Sequence, residues 1–246
     1  MTLRRRLSPA LGGGVLGLRH LEAVIVAGLF FFAAAPVSAQ AAVSRATTSI
    51  VARATGPQVA VYRIRAAKRP AWVFRNPRAD GSPVTFLVVR RVPGWVQVRL
   101  AIRPNGSSGW VRAGSVALTL NPYRIAVSLR RHRITVWLRG RAIVRAPAAV
   151  GRPSLPTPTG VYYIVELLKQ TSPSSPYGPY AFGLSAYSRV LLSFGGGPGQ
   201  IGLHGTNEPG LLGTSVSHGC VRVANSLIAR LARVLPLGTP VEISNE

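Results

Sequence analysis

The chain is poor in acidic residues and cysteine, and each shortage excludes a class of site. Its 246 residues include six acidic and 30 basic residues, for a formal net charge of +24. Asp80 is the only aspartate, and the acidic residues are too few and too scattered for an EF-hand, a two-metal site or an aspartic-protease dyad. Cys220 is the only cysteine, which excludes an intrachain disulfide and a cysteine-rich zinc module.

The basic residues are spread along the chain and are not gathered in one tail. Lys68 and Lys169 are the only lysines, so 28 of the 30 basic residues are arginines. A nucleic-acid-binding protein usually concentrates its charge on one face, so we predict no nucleic-acid partner. Two interpretations stay open. The charge serves attraction to anionic polymers of the cell envelope, or it is a compositional bias that places arginines on solvated strand faces.

The first 39 residues are typical of an export signal. A basic segment at Arg4–Arg6 precedes an apolar run over 21–35, broken only by Glu22. The uninterrupted part of this run is shorter than the ~20 residues that span a bilayer, and Val37–Ala39 offers small residues for cleavage. The sequence predicts an exported protein of the periplasm or extracytoplasmic cell wall. An uncleaved N-terminal anchor stays open, and only this alternative places the chain at a membrane.

The rest of the chain divides into a predicted linker and two β-rich domains. Residues 40–56 are rich in Ala, Ser and Thr and lack apolar periodicity, which predicts a linker. Residues 57–119 contain short alternating runs separated by turn residues, such as Trp95–Leu100, and predict a small domain. Residues 120–246 alternate over several further segments. The predicted fold class is therefore mainly β.

One helix and one long loop are predicted in the C-terminal domain. Apolar residues repeat at three and four positions after Asn225, whose side chain is expected to cap the helix. Pro236 and Gly238 are expected to end it. Residues 171–183 are rich in Pro, Ser, Gly and Tyr, which predicts a long surface loop, and loops of this length are often functional.

Side chains suited to nucleophilic catalysis converge on Cys220. His204 and His218 both lie within 17 residues that end at this cysteine. A thiol becomes a nucleophile when an imidazole accepts its proton or a positive charge lowers its pKa, and Arg222 supplies such a charge. The amides of Gly219 and Cys220 are candidates for an oxyanion hole. On a strand His218 and Cys220 would share a face, whereas His204 must come from a neighbouring strand.

Two other interpretations of these residues stay open. His204, His218 and Cys220 could together bind zinc, although no carboxylate except Glu208 lies near them in sequence. Cys220 could instead be a buried and inert thiol. His132 stands between two arginines in a predicted strand and is expected to be a surface residue without function.

The run His204-Gly205-Thr206, followed by Ser217-His218-Gly219-Cys220-Val221-Arg222, resembles the signature of the YkuD-type L,D-transpeptidase catalytic domain. This is a family of bacterial cell-wall enzymes. Further segments resemble the family's turn, substrate loop and closing strand (Pro156–Gly160, Tyr177–Tyr180, Leu184–Ser188, Leu237–Val241). Residues 57–119 resemble a bacterial SH3-like module, and this match rests on Trp95, Gly109, Trp110 and Val116. Its tryptophans are either core residues of a small barrel or part of a binding groove. The resemblance implies a small SH3-like barrel followed by a β-sandwich with one short helix.

The resemblance also implies roles for individual residues. Cys220 would be the nucleophile and His204 the proton acceptor and donor, with the carbonyl of Gly205 orienting its imidazole. The other matching residues would support the pocket or its oxyanion hole (His218, Gly219, Gly205, Ser217) or contact substrate (Arg222, Tyr180).

The implied reaction is peptidoglycan cross-linking without a metal or organic cofactor. Cys220 would attack the third-residue carbonyl of a tetrapeptide stem, release D-alanine and pass the acyl group to a neighbouring stem amine, giving a 3→3 cross-link. With water as acceptor the enzyme would be an L,D-carboxypeptidase, and with another protein's amine it would anchor that protein to the wall. The motif does not separate these outcomes. A non-catalytic wall-binding module is a distant alternative.

Overall fold

A computed structural model describes residues 47–172 and 174–246. The predicted export signal and the first part of the predicted linker lie outside these residues. Within the described part, no helix has the length and apolar content needed to cross a bilayer.

The N-terminal part of the described chain is a small antiparallel β domain. Five strands pair in the spatial order β6-β5-β4-β1-β7, and β2 and β3 form a separate hairpin. Alternating buried residues from both sheets form its core, among them Val59, Val61, Val96 and Val98. The seven strands are β1 (Ser49–Ala54), β2 (Gln58–Val61), β3 (Trp72–Arg75), β4 (Thr85–Val92), β5 (Trp95–Arg99), β6 (Ser108–Arg112) and β7 (Val116–Asn121).

Strand β1 falls inside the stretch 40–56 that the sequence predicts to be a linker, and the prediction is wrong over 49–54. This strand lies between β4 and β7 and buries Val51, Ala52 and Ala54. Three apolar residues follow one another at Ile50, Val51 and Ala52, so the sequence shows no alternation here. Pairing on both edges stabilises a strand that its pattern does not indicate.

The C-terminal part is a curled, mixed eight-stranded sheet. Its order is β10-β9-β8-β17-β12-β13-β14-β16, and in the described part of this sheet the parallel pairs are β17 with β8 and β14 with β16. The short strands β11 and β15 pair separately. The bounds are β8 (Tyr123–Ser128), β9 (Arg133–Leu138), β10 (Arg141–Pro147), β11 (Val150–Gly151), β12 (Gly160–Lys169), β13 (Tyr180–Tyr187), β14 (Gln200–His204), β15 (Ser215–Ser217), β16 (Val221–Arg222) and β17 (Pro240–Ser244).

One short helix, α1 (Asn225–Val234), packs its apolar face on the sheet. Leu227, Ile228 and Leu231 are buried there, as the three- and four-residue repeat predicts. The predicted cap is wrong. Asn225 is the first helical residue, and its side chain accepts a hydrogen bond from the distant Thr206 N–H. The predicted mainly β fold with one short helix is confirmed for the described residues.

The predicted loop 171–183 is shorter than expected. Strand β13 begins at Tyr180 and pairs with β12 from Lys169 inward. Tyr180 and Phe182 therefore belong to the sheet, because aromatic side chains fill a half-buried strand well. The segment Leu184–Ser188, which the resemblance compared with a substrate loop, lies mostly within the same buried strand.

The two sheets pack directly on each other. Leu87 of β4 forms a buried cluster with three residues of β12, namely Val161, Tyr163 and Val165. The hydroxyl of Tyr163 also donates a hydrogen bond to the carbonyl of Arg99 in β5 (3.1 Å). This packing places the turn between β5 and β6 against the C-terminal sheet, near the motif residues.

Candidate active site

His204 ends strand β14 with its ring buried and oriented. Its Nδ1 lies 2.6 Å from the carbonyl oxygen of Gly205, so Nδ1 carries the proton and Nε2 is left as the basic nitrogen. The pKa of His204 is lowered to about 4. Burial is the main cause and the nearby Arg222 charge adds to it, whereas the hydrogen bond to the Gly205 carbonyl opposes the shift. The imidazole is therefore neutral at neutral pH and suited to accept a proton.

Backbone contacts fix the carbonyl that orients His204. The N–H of Gly205 donates to the carbonyl of Tyr180 (3.3 Å), and the N–H of Thr206 donates to Oδ1 of Asn225 (2.8 Å). A Cβ atom on Gly205 or on Gly178 would overlap Oδ1 of Asn225. Glycine at these positions lets the loop before β13 and the start of α1 close around the histidine.

Cys220 lies between β15 and β16, and its Sγ accepts a hydrogen bond from the N–H of Gly202 (3.2 Å). Burial raises the pKa of the Cys220 thiol, while the Gly202 hydrogen bond and the charge of Arg222 act in the opposite direction. The resting site therefore holds a neutral thiol and a neutral imidazole. The Gly202 N–H and Arg222 favour the thiolate once a proton leaves.

Gly202 brings the cysteine and the histidine together. A Cβ atom at this position would lie 3.4 Å from Cδ2 of His204 and 3.7 Å from Sγ of Cys220. Both reactive side chains thus flank a single glycine on β14. Only Leu203 separates Gly202 from the recognisable His204-Gly205-Thr206 run, and nothing in the sequence pattern marked Gly202 as part of the site.

The turn that carries Cys220 is held by two hydroxyl groups. Ser217 Oγ donates to the carbonyl of Cys220 (2.6 Å) and accepts the N–H of Gly219 (3.1 Å). Thr157 Oγ1 donates to the carbonyl of Gly219 and accepts the N–H of Gly151, both at 2.8 Å. Gly219 has φ +119°, a conformation that favours glycine.

This turn corrects one sequence prediction. His218 and Cys220 do not share a strand face, because residues 218–220 form the bend between β15 and β16. The oxyanion pair at Gly219 and Cys220 stays a prediction. In this structure the Gly219 N–H donates to Ser217 Oγ, which leaves the Cys220 N–H as the first candidate donor.

Aromatic side chains flank both histidines. Tyr177 meets the His204 ring edge to face, with centroids 4.9 Å apart, and Phe194 stacks on His218 at 5.2 Å. Phe194 is 44% exposed, so it offers a free apolar face next to the cysteine turn. The motif pointed to His218, whereas its aromatic partner comes from the glycine-rich loop over residues 188–199, where the sequence predicts no site residue.

The two predicted substrate contacts, Arg222 and Tyr180, differ in what they contribute to the site. Arg222 contributes a charged side chain, whereas Tyr180 contributes mainly its backbone carbonyl. Arg222 Nη1 binds Glu208 at 2.8 Å, and its buried Nε has no hydrogen-bond partner among the described residues. Tyr180 contributes its carbonyl to Gly205, and its partly buried ring packs against the main core.

The small β domain holds the loop that carries Phe194. Arg103, in the turn between β5 and β6, donates to the carbonyls of Ser188 (2.5 Å), Leu191 (3.0 Å) and Pro198 (2.8 Å). Asn105 in the same turn exchanges two hydrogen bonds with the backbone of Tyr187. Both ends of the loop over residues 188–199 are therefore hydrogen-bonded to the β5–β6 turn of the small β domain.

The described residues do not form the alternative metal site. Among 47–172 and 174–246, no three His, Cys, Asp or Glu side chains are grouped as ligands would be. His132 Nε2 contacts Ser215 Oγ at 2.7 Å, outside the cysteine site.

The chain is similar to several known proteins. Residues 122–243 match the model of the YkuD family, described as the L,D-transpeptidase catalytic domain. A Bacillus licheniformis relative named as L,D-transpeptidase YkuD is 34% identical over 60% of this chain and 86% of its own length. The Bacillus subtilis protein of that name is 37% identical over 50% of this chain and 66% of its own length. A solved L,D-transpeptidase from Mycobacterium tuberculosis H37Rv is 16% identical, covers 86% of each chain and has a TM-score of 0.43.

Residues 122–243, which hold the partly buried Cys220 and the buried His204, are a cysteine-dependent enzyme domain of a cell-wall enzyme family. The chain belongs to the YkuD L,D-transpeptidase family, with its catalytic domain at 122–243 preceded by a small β domain.

Proposed function

We propose that the protein is an exported peptidoglycan L,D-transpeptidase that uses Cys220 as its nucleophile. The observation that carries the proposal is the convergence of Cys220 Sγ and the His204 ring on Gly202, within the part of the chain that matches the family. Peptidoglycan stem peptides are the partner on which the family acts.

The reaction begins with proton transfer. The Cys220 thiol gives its proton to Nε2 of His204 as Sγ attacks the carbonyl carbon of the third stem residue. The Gly202 N–H and Arg222 stabilise charge on sulfur, and the Cys220 N–H is the candidate donor to the developing oxyanion. The C–N bond to D-alanine then breaks, and His204 returns the proton to the leaving amine. A thioester on Cys220 remains.

The second half of the reaction reverses these roles. A neighbouring stem's side-chain amine attacks the thioester, His204 accepts its proton, and the thiol is released with a 3→3 cross-link formed. The Arg222 guanidinium, which binds Glu208, keeps positive charge beside the reacting cysteine. The exposed face of Phe194 is placed to contact the stem next to the cysteine turn.

Intact mass after exposure to a carbapenem tests the nucleophile, because the resemblance implies acylation of Cys220. We expect one adduct on the native chain and none on Cys220→Ala. Incubation with disaccharide-tetrapeptide then identifies the acceptor. A cross-linked dimer with release of D-alanine supports transpeptidation, whereas disaccharide-tripeptide alone would show hydrolysis. A folded native protein that takes up no carbapenem and leaves the tetrapeptide intact would contradict the proposal.

A further inference from the structure

The small β domain carries a cluster of arginines stacked on aromatic rings, far in sequence from Cys220. We name it the arginine–aromatic surface, and it consists of Arg63, Arg65, Arg90, Arg112, Tyr62, Trp72, Trp95 and Trp110. Arg112 lies 4.0 Å from the centre of the Trp95 ring, and Arg63 lies 4.7 Å from that of Trp72. Arg65 and Arg90 both lie 5.2 Å from the centre of Trp110.

Strand pairing makes these stacks one continuous surface. Trp95 and Arg112 are direct partners in the β5–β6 register, and Trp110 lies two residues before Arg112 on the same strand. Tyr62 pairs with Trp110 and meets Trp95 edge to face at 5.4 Å. Residues two apart on a strand are separated by ~7 Å, so neighbouring stacks lie about that far apart.

The four guanidinium groups are exposed and uncompensated. Within the described residues, none of them is in an ion pair. Residues 47–121 contain twelve basic residues and one acidic residue, Asp80, which lies 3.9 Å from Arg78. The surface therefore presents positive charge that nothing in its own domain neutralises.

Stacking prepares these arginines to bind anions. A guanidinium that lies flat on an aromatic ring loses side-chain freedom but keeps its N–H edge, which matches a carboxylate or phosphate in a two-point contact. Beneath the arginines, Trp95 is only 8% exposed and Trp110 only 7%. A ligand meets guanidinium edges and finds little indole on which a nucleic-acid base could stack.

We infer that the arginine–aromatic surface binds a polyanionic glycopolymer, with carboxylate or phosphodiester groups repeated along a sugar or polyol backbone. Several stacked guanidiniums at strand spacing suit a ligand whose charges also repeat. The choice of an envelope polymer rests on the proposed cell-wall function, whereas the anion chemistry of the surface is independent of Cys220.

Binding of the full chain to three soluble polymers tests the inference: polygalacturonate, poly(glycerol phosphate) and neutral dextran. Titration calorimetry at physiological salt should show binding to one or both polyanions and none to dextran. Changing Arg63, Arg65, Arg90 and Arg112 together to Gln should weaken binding at least about tenfold, because four charge-assisted contacts are lost. The matched control changes four exposed arginines of the C-terminal sheet that stack on no aromatic ring, namely Arg130, Arg131, Arg141 and Arg145.

The control removes the same charge from a different part of the protein. If the arginine–aromatic surface is the binding site, affinity should then change less than about threefold. An equal loss in both variants would overturn the inference, because net charge alone would then explain binding. The four Arg→Gln changes could expose the tryptophans and unfold the domain, so a second variant changes the same four arginines to Lys. Lys keeps the charge but not the planar edge, and binding as tight as in the native chain would also overturn the inference.

Two further probes test the kind of partner. Ile64 and Val73 are exposed on the same hairpin, so vesicles of one part phosphatidylglycerol to two parts phosphatidylcholine are included, together with single-stranded DNA. Tighter binding to either than to both glycopolymers would overturn the choice of ligand. Carbapenem acylation of the Gln variant separates this inference from the proposed function, because the adduct should form at the native rate even where polymer binding is lost.

Discussion

Replacement of Arg103 by Ala tests whether the small β domain maintains the active site. Arg103 donates hydrogen bonds to three carbonyls of the loop over residues 188–199, which carries Phe194 to the cysteine turn. A hydrogen bond from a charged donor contributes ~1.5–3 kcal/mol when well shielded. Arg103 is an exposed residue, so we assign about 2 kcal/mol to the three bonds together. The open form of the loop should then become about 30 times more populated.

The expected result is local loosening of the loop with little effect on the fold. Amide hydrogen exchange over residues 190–198 should accelerate strongly, while exchange in β12 and β13 stays near native. The rate of carbapenem acylation of Cys220, followed by intact mass, should fall several-fold because Phe194 no longer holds His218 in place.

Arg189→Ala is the matched control, since it removes the same charge from an exposed position on the same loop. Arg103→Lys should give an intermediate rate, because a single ammonium group cannot satisfy three carbonyls in the geometry of the guanidinium fork. Native exchange over 190–198 together with native acylation in Arg103→Ala would refute the idea that this turn supports the active site.

Three other changes give further checks. Because burial lowers the pKa of His204 to about 4 from 6.5, the unfolded chain binds the extra proton first, and stability is lost as pH falls from 6.5 towards 4. The loss amounts to about 3 kcal/mol, and urea unfolding should show it to be absent in His204→Gln. Burial raises the pKa of Glu166, so the contribution of this residue to stability increases as pH falls. The native protein and His204→Gln share this contribution, so it cancels when the two are compared. Thr157→Val should cost about 2–4 kcal/mol in the same assay, since two buried backbone groups lose their partner, whereas Thr157→Ser should stay near native. Gly151→Ala should be destabilised by about 3 kcal/mol, because its Cβ would overlap the backbone of residues 155–157, and an unchanged midpoint would contradict the packing described.

The motif residues were predictable because their chemistry is carried by rare side chains. One cysteine and two nearby histidines in a chain of 246 residues leave few alternatives, and strand alternation with a single amphipathic helix indicated the mainly β fold. The supporting contacts were not predictable, because most of them use the backbone. Gly202 acts through its N–H and its lack of a side chain, and Asn225 acts on Thr206 across 19 positions.

The same reason explains the errors over strand β1 and the cysteine turn. Sequence patterns report what a side chain prefers. Strand β1 shows no alternation, because Ile50, Val51 and Ala52 follow one another, and its pairing with β4 and β7 decides its conformation. His218 and Cys220 fit an alternating strand equally well on paper. The bend between them requires Gly219 at positive φ and the hydroxyl of Ser217, which a two-residue spacing does not indicate.

The neutral state of the reactive pair explains why these backbone contacts matter. Burial moves the pKa of Cys220 up and that of His204 down, so proton transfer between them is unfavourable in the resting site. Groups that stabilise the charged pair only after transfer must then be in place beforehand, because reorganising them during the reaction would add to the barrier. The Gly202 N–H on sulfur and the Gly205 carbonyl on the imidazole are such groups. A rigid β14, tied to β13 and β16, thus contributes directly to the reactivity of a thiol that burial alone would make inert.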